Sequence, residues 1–328
     1  MKRYWTKHGI MAVLFLLTLG AARGQQAFTP GEVWKDVDGL PINAHGGGVL
    51  FDKGKYYWFG ESRERFGTNG VSVYSSTDLY NWRREGLAFM PDSDTASEVG
   101  RGCVIERPKV LYNKKTGKYV MWFHLELRGK GYSAARAAVA VSNSITGPYT
   151  YVASFRPNGN MSRDMTLFQD NDSTAYHIYS SDENYTLRIA KLAPDYLSVT
   201  SEDYFMFRNH REAPAVFKYQ KKYYLITSGC TGWAPNKASL HVADSLTGAW
   251  KELGDPMRGE NALRTFEGQS TYILPVQGKQ DAFIFMADIW KPSSLIDSRY
   301  IWLPIQFSQG VPYVEWTTPW KLEGFDKK

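Results

Sequence analysis

Five stretches of this chain repeat one plan: an alternating apolar–polar run, a turn, a second run, a loop, a third run, a turn and a fourth run. They begin near residues 46, 106, 163, 212 and 268. The halves pair as 46–62 with 71–86, 106–124 with 137–152, 163–181 with 185–201, 212–229 with 239–254, and 268–288 with 299–316. Alternation closed by turn residues reads as β-strand. Asp52-Lys53-Gly54, Lys115-Thr116-Gly117 and Asp170-Asn171-Asp172 supply turns between first and second strands. A four-strand unit repeated at about 50–60 residues is the signature of a propeller blade. The expected fold is therefore all-β, a five-bladed β-propeller. A β-sandwich is the rival, but five matching units fit it poorly. Residues 28–40 and 317–328 fall outside the units and are expected to pair or pack where the ring closes.

Composition narrows the class further. With 43% hydrophobic residues the chain has ample material for a core, which excludes intrinsic disorder. Two cysteines exclude a disulfide-stapled scaffold and a Cys-rich zinc module. The 11 Trp, 21 Tyr and 17 Phe suit a strand-rich protein that stacks flat rings on sugar faces. Lys2, Arg3 and Lys7 precede an apolar run from Ile10 to Ala22, and Ala22-Arg23-Gly24 offers small residues for cleavage. Residues 1–24 read as a secretory signal peptide, and 25–328 as a single propeller domain, secreted or periplasmic, expected to be a monomer free of the membrane after cleavage. Four cations and no acid in that leader bring the +6 of the full chain down to +2. No basic stripe remains, which excludes nucleic acid as a partner. Cys103 and Cys230 leave both a disulfide and two free thiols open.

In a propeller the first strand of each blade lines the axis. Function is therefore expected where first strands start and where second strands return to the same face. The starts carry Asn43-Ala44-His45, Glu106-Arg107, Arg163-Asp164, His210-Arg211-Glu212 and Glu267-Gly268-Gln269. The returns carry Trp58-Phe59-Gly60-Glu61, Phe123-His124, the stretch from Ser228 through Cys230, Thr231 and Gly232 to Trp233, and Asp288-Ile289-Trp290. Carboxylates forced together push their pKa values apart, which separates an acid from a base. With His45, Arg107, Tyr132 and Thr231 as polar contacts and Trp233 as a platform, these residues compose a glycoside-cleaving site. Capping of backbone ends, or pairing with Arg107, Arg163 and Arg211, is the plainer role for any one acid.

Ala44-His45-Gly46-Gly47-Gly48, Tyr56-Tyr57-Trp58-Phe59-Gly60-Glu61, Glu106-Arg107-Pro108-Lys109, Arg211-Glu212-Ala213-Pro214-Ala215 and Thr265-Phe266-Glu267-Gly268-Gln269-Ser270 resemble glycoside hydrolase family 43 over about residues 30–320. Within it they are most similar to the exo-acting β-1,3-galactanases. The resemblance implies an inverting mechanism on a galactan or arabinogalactan backbone. It implies Glu212 as general acid, Asp164 as the residue that orients the acid and tunes its pKa, and Glu106 as a sugar contact. Most of the family carries an Asp at the start of blade one; here Ile42-Asn43-Ala44-His45 has no carboxylate. Gln269 matches an amide that the resemblance casts as base, and Glu61 is the alternative. An inverting pair is expected about 6.5–9.5 Å apart, and a gap of about 5 Å would argue for retention instead. An arabinofuranosidase or β-xylosidase of the same family and a non-catalytic sugar-binding propeller are the other readings. No cofactor and no Cys/His metal spacing is read, although a Ca²⁺ site of scattered oxygens would leave no trace in sequence.

Overall fold

Each repeat folds into one antiparallel sheet in the computed structural model, which describes residue 1 and residues 24–327. The expected leader therefore lies almost wholly outside the described residues. Blade one holds β1 (His45–Asp52), β2 (Lys55–Arg63), β3 (Thr68–Ser76) and β4 (Arg83–Phe89). Blade two holds β5 (Val104–Asn113), β6 (Lys118–Glu126), β7 (Arg136–Ser142) and β8 (Thr150–Phe155). Blade three holds β9 (Met165–Gln169), β10 (Ala175–Ser181), β11 (Thr186–Leu192) and β12 (Val199–Phe207), and blade four β13 (Arg211–Tyr219), β14 (Lys222–Gly229), β15 (Ser239–Ala243) and β16 (Lys251–Gly254). In all four the spatial order is the chain order.

The fifth blade departs from that plan. After β17 (Met257–Arg258), β18 (Gln269–Pro275), β19 (Phe283–Ile289), β20 (Arg299–Ser308) and β21 (Val311–Glu315) form its sheet, and β17 adds a parallel fifth strand outside β21. Two residues carry no periodicity, so that strand had no sequence signal. The inner strands touch in the order β1, β5, β9, β13, β18 and back to β1, which closes the ring. The five-bladed propeller is as expected. Among the described residues helix is limited to four short 3-10 segments, and no helix is long and apolar enough to cross a membrane.

The core lies between blades, because each twisted sheet buries both faces against its neighbours. Blades one and two enclose Phe59, Val73, Met121 and Phe123; blades two and three enclose Trp122, Leu167 and Tyr179; blades three and four enclose Ile178, Ile189 and Leu225. The joint between blades five and one is different in kind. It stacks Trp58, Trp82, Trp302 and Trp34, with Trp58 4.8 Å from Trp302 and Trp34 5.0 Å from Trp302.

The segments outside the repeats clasp that joint. Phe28 and Trp320 exchange two backbone hydrogen bonds, at 2.8 and 3.1 Å, and stack with centroids 4.3 Å apart. Trp34 Nε1 donates to the Tyr80 carbonyl in blade one, and Trp320 Nε1 to the Trp302 carbonyl in blade five. A ring closed by the same chain's two ends needs such a tie, because no peptide bond joins blade five to blade one. Phe28 is 1% exposed and touches four aromatic rings. Phe28→Ala should therefore lower unfolding free energy by about 3–5 kcal/mol, read as a lower urea midpoint by Trp fluorescence. A loss below about 1 kcal/mol, the scale of surface substitutions, would mean that the ring closes without this clasp.

Candidate active site

A repeated kink aims the site residues. Where each of β1, β5 and β13 begins, one extra residue enters the ladder: the register jumps between His45 and Gly48, between Glu106 and Lys109, and between Glu212 and Ala215. The residue after His45, Glu106 and Glu212 takes a left-handed backbone, with φ of 59° at Gly46, 56° at Arg107 and 53° at Ala213. Pro108 and Pro214 follow, where a bulge spares the ladder a missing donor. For Arg107 and Ala213 this geometry stores strain of about 1–3 kcal/mol each. At Gly46 a side chain is excluded outright, since a Cβ would lie 2.2 Å from Glu61 Oε1.

The bulges surround a cleft of about 330 Å³ on the axis, at the low end of the range for small-ligand sites. Glu61, Arg63, Glu106, Arg107, His124, Tyr132, Arg163, Asp164, Asn184, Glu212, Cys230, Gly232, Trp233, Gln269 and Trp290 line it. Eight of the ten residues expected in the site are thus brought together from all five blades: Glu61, Glu106, Arg107, Tyr132, Asp164, Glu212, Trp233 and Gln269.

Arg107 connects them. Its guanidinium pairs with Asp164 at 2.9 Å, donates to Gln269 Oε1 at 2.5 Å and to the Ser270 carbonyl at 2.9 Å, while its backbone N–H donates to Glu61 Oε1 at 2.8 Å. Gln269 is fully engaged. Its oxygen also accepts from Trp290 Nε1 at 2.9 Å, and its nitrogen donates to Glu212 Oε1 at 2.9 Å and Ser228 Oγ at 3.1 Å. Asn184 donates to the other Glu212 oxygen at 3.1 Å. Asp164 accepts the N–H of Ala213, the residue after Glu212, at 3.1 Å.

Glu106 and Glu212 share the Glu-x-Pro bulge yet titrate in opposite directions. Burial and the negative charge of Asp164 push the Glu212 carboxyl up to about 8, with Arg107 and the hydrogen bond from Gln269 acting the other way. Glu106 is buried too, but the His124 ring 3.2 Å away, the hydrogen bond from Tyr132 and the charge of Arg63 outweigh burial and hold it well below the usual carboxylate range. His124 in turn lies between Glu106 and Glu126, at 3.2 and 2.9 Å, and these raise it to about 9 against its burial. Glu106, His124 and Asp164 present atoms within 4.8 Å of one another, as metal ligands would. Both His124 nitrogens are turned on carboxylates, Nδ1 on Glu106 and Nε2 on Glu126.

Three expectations change. His45 is not a sugar contact: it is fully buried behind the cleft, with Nδ1 3.1 Å from Asp288 and its ring stacked on Tyr300 at 4.8 Å. Thr231 does not line the cleft; it accepts from Asn236 and donates to the Ala234 carbonyl, both at 2.6 Å, and so braces the loop carrying Trp233. Gln269 and Glu212 are in direct contact rather than about 6.5–9.5 Å apart. Cys103 and Cys230 are both free thiols. Asn43, at the start of blade one, is turned away to bond the Arg63 backbone at 2.8 and 2.9 Å.

Arg63, Glu126 and Asn184 were missed. Arg63 pairs with Glu61 and with Glu106, and its guanidinium lies 6.0 and 5.6 Å from the Trp233 and Trp290 rings, which meet edge to face at 5.3 Å. A signal existed for two of them: Glu61/Arg63 and His124/Glu126 are two apart at the end of a second strand, hence on one side of it. Asn184 sits in a turn with no periodicity to mark it.

Comparison with known proteins identifies the family. The family model described as glycosyl hydrolases family 43 matches residues 45–285. The β-1,3-galactosidase BT3683, solved with galactodeoxynojirimycin, is 50% identical with a TM-score of 0.88, over 90% of this chain and 100% of its own. Exo-β-1,3-galactanases from Phanerochaete chrysosporium and Clostridium thermocellum are each 39% identical, with TM-scores of 0.82 and 0.81. They match over 88% of this chain and 66% and 64% of theirs. Among curated proteins no match was found. A propeller whose axial cleft joins a raised and a depressed carboxyl, matched by the family model over most of its length, belongs to glycosyl hydrolase family 43 and is a glycoside hydrolase.

Proposed function

We propose that this protein is a secreted exo-β-1,3-galactanase that releases galactose from the ends of β-1,3-galactan backbones with inversion. The observation that carries the chemistry is Glu212, a cleft carboxyl raised to about 8 and braced by Asp164 through the Ala213 N–H. Such a group keeps its proton at neutral pH and can give it to the leaving oxygen. Glu106, held as an anion beside Tyr132 and Arg63, suits acceptance of sugar hydroxyls. Trp233 and Trp290 suit stacking on a sugar face. The galactose specificity is supported by the relatives, which are described with galactodeoxynojirimycin and with β-1,3-galactotriose. The small volume of the cleft supports attack at a chain end.

For the second role Gln269 is favoured over Glu61. Both Glu61 oxygens are committed, to the Arg107 N–H and to Arg63, and the side chain is fully buried. Gln269 contacts Glu212 directly, so an attacking water must part them. With two donors on its oxygen it stands as an ordinary amide, which is a poor base. Its work begins when sugar and water displace this hydrogen bond: the nitrogen of its imidic tautomer takes a proton from the water as that water attacks the anomeric carbon, while Glu212 gives its own proton to the leaving oxygen.

Product analysis on β-1,3-galacto-oligosaccharides should give galactose alone, appearing first as the inverted anomer. Arabinose or xylose from matching glycosides, with no galactose, would replace this reading. Glu212→Gln should cut turnover about 10²–10⁴-fold while ligand binding survives. A binding module would show no turnover beforehand. The same substitution has a stability signature. Folded Glu212 keeps its proton to about pH 8, against an ordinary value of 4.5, so native stability declines as pH rises through that window. Glu212→Gln removes the decline. The variant should be more stable than the parent at pH 8, with the difference vanishing near pH 4, read from thermal unfolding. Protein recovered outside cells should begin at Gln25; a protein found only inside cells and still beginning at Met1 would remove the secretion reading.

A further inference from the structure

Below the cleft floor, on β5 just past its bulge, Lys109 is 2% exposed. Its ammonium meets no carboxylate within ion-pair distance among the described residues. Instead it donates to two backbone carbonyls, Gly46 O at 2.9 Å and Arg107 O at 3.4 Å. Both belong to left-handed bulge residues, one in blade one and one in blade two. The N–H groups of the same two residues hold buried carboxylates: Gly46 donates to Asp288 and Arg107 to Glu61, both at 2.8 Å. The Lys109 stem fills the space left by Gly48, where a Cβ would stand 2.6 Å from Lys109 Cδ and 3.3 Å from the Tyr272 ring. A buried ammonium is costly unless it is needed, and an apolar chain of equal length would fill the same channel.

We propose that Lys109 is a positioning residue for hydrolysis: its ammonium ties the bulge of blade one to that of blade two and so fixes Arg107 against Asp164 and Gln269. This rests on assigning the cleft chemistry to Glu212, Gln269 and Arg107. Burial and the charge of Arg107 lower Lys109 to about 7, while Glu61, Asp164 and Asp288 act the other way; Tyr272, from β18, is uncharged. Without the ammonium two carbonyls lose their donor and Arg107 loses the support of its own bulge. Tyr132 and Trp233 line the cleft, and neither is among the groups that Lys109 bonds. The loss should therefore fall on the rate of the chemical step and spare binding.

Lys109→Met and Gly48→Ala test this on whichever glycoside the unmodified protein cleaves. The parent's activity then decides the substrate, and the ratio of variant to parent decides Lys109. Lys109→Met should lower kcat about 10²-fold, the scale of a misplaced catalytic group, with KM changed less than about threefold. Gly48→Ala should reproduce a smaller kcat loss at constant KM by displacing the stem. If Lys109→Met fails to fold, Gly48→Ala decides alone by its kcat. Variants that melt earlier yet keep kcat within about twofold would reduce Lys109 to packing. A rise in KM at constant kcat would also overturn the assignment.

Discussion

The Arg107 guanidinium and its backbone hold the active cleft together. One residue touches Glu61, Asp164, Gln269 and the Ser270 carbonyl, and so ties blades one, two, three and five at the axis. A buried cation is tolerated only where anions and acceptors surround it, and here they come from separate repeats. The carboxylates depend on it in return. Asp164 raises Glu212 while Arg107 lowers it, so the acid's proton affinity is set by the balance between two groups that are themselves an ion pair. Changes at Arg107 therefore cannot be confined to one role.

This arrangement works against folding in two ways. Bulges at Arg107 and Ala213 hold non-glycine residues in a left-handed conformation, and Glu61, Glu106, Glu126, Arg63, Arg107 and Lys109 all lie in the interior. Neither feature stabilises the chain in proportion to its cost. The opposing contribution lies farther from the axis, in the apolar layers between blades and the Trp-rich joint that Phe28 and Trp320 clasp. A rigid outer ring lets the centre keep strained backbone and crowded charge, because the bulged strands cannot relax without parting their neighbours.

Much of the fold was legible because a blade is a local object. Turn-bounded runs such as residues 46–62 or 212–229 dictate paired strands whatever else the chain does, and five copies in a row leave little choice but a ring. The site's membership was legible for the same reason: strand starts and returns share one face, which located Glu61, Glu106, Asp164, Glu212 and Gln269 by counting. The β17 edge strand and Asn184 escaped, because two residues or a turn carry no period. His45 misled because it heads its strand as the acids do. Its ring lies against Asp288 and Tyr300 instead of in the cleft, and where a ring lies cannot be seen in a pattern of residue types.

By itself the sequence determined the wheel, the face that works and the kinds of side chain gathered there. It could not determine their protonation, since Glu106 and Glu212 sit in the same local motif, Glu-x-Pro. Tertiary structure decided that. His124 and Arg63 arrive beside one carboxyl and drive it to the anion, while Asp164 and burial leave the other with its proton. Proton affinity depends on the charges and solvent around a group in space, and those neighbours come from strands far apart in the chain.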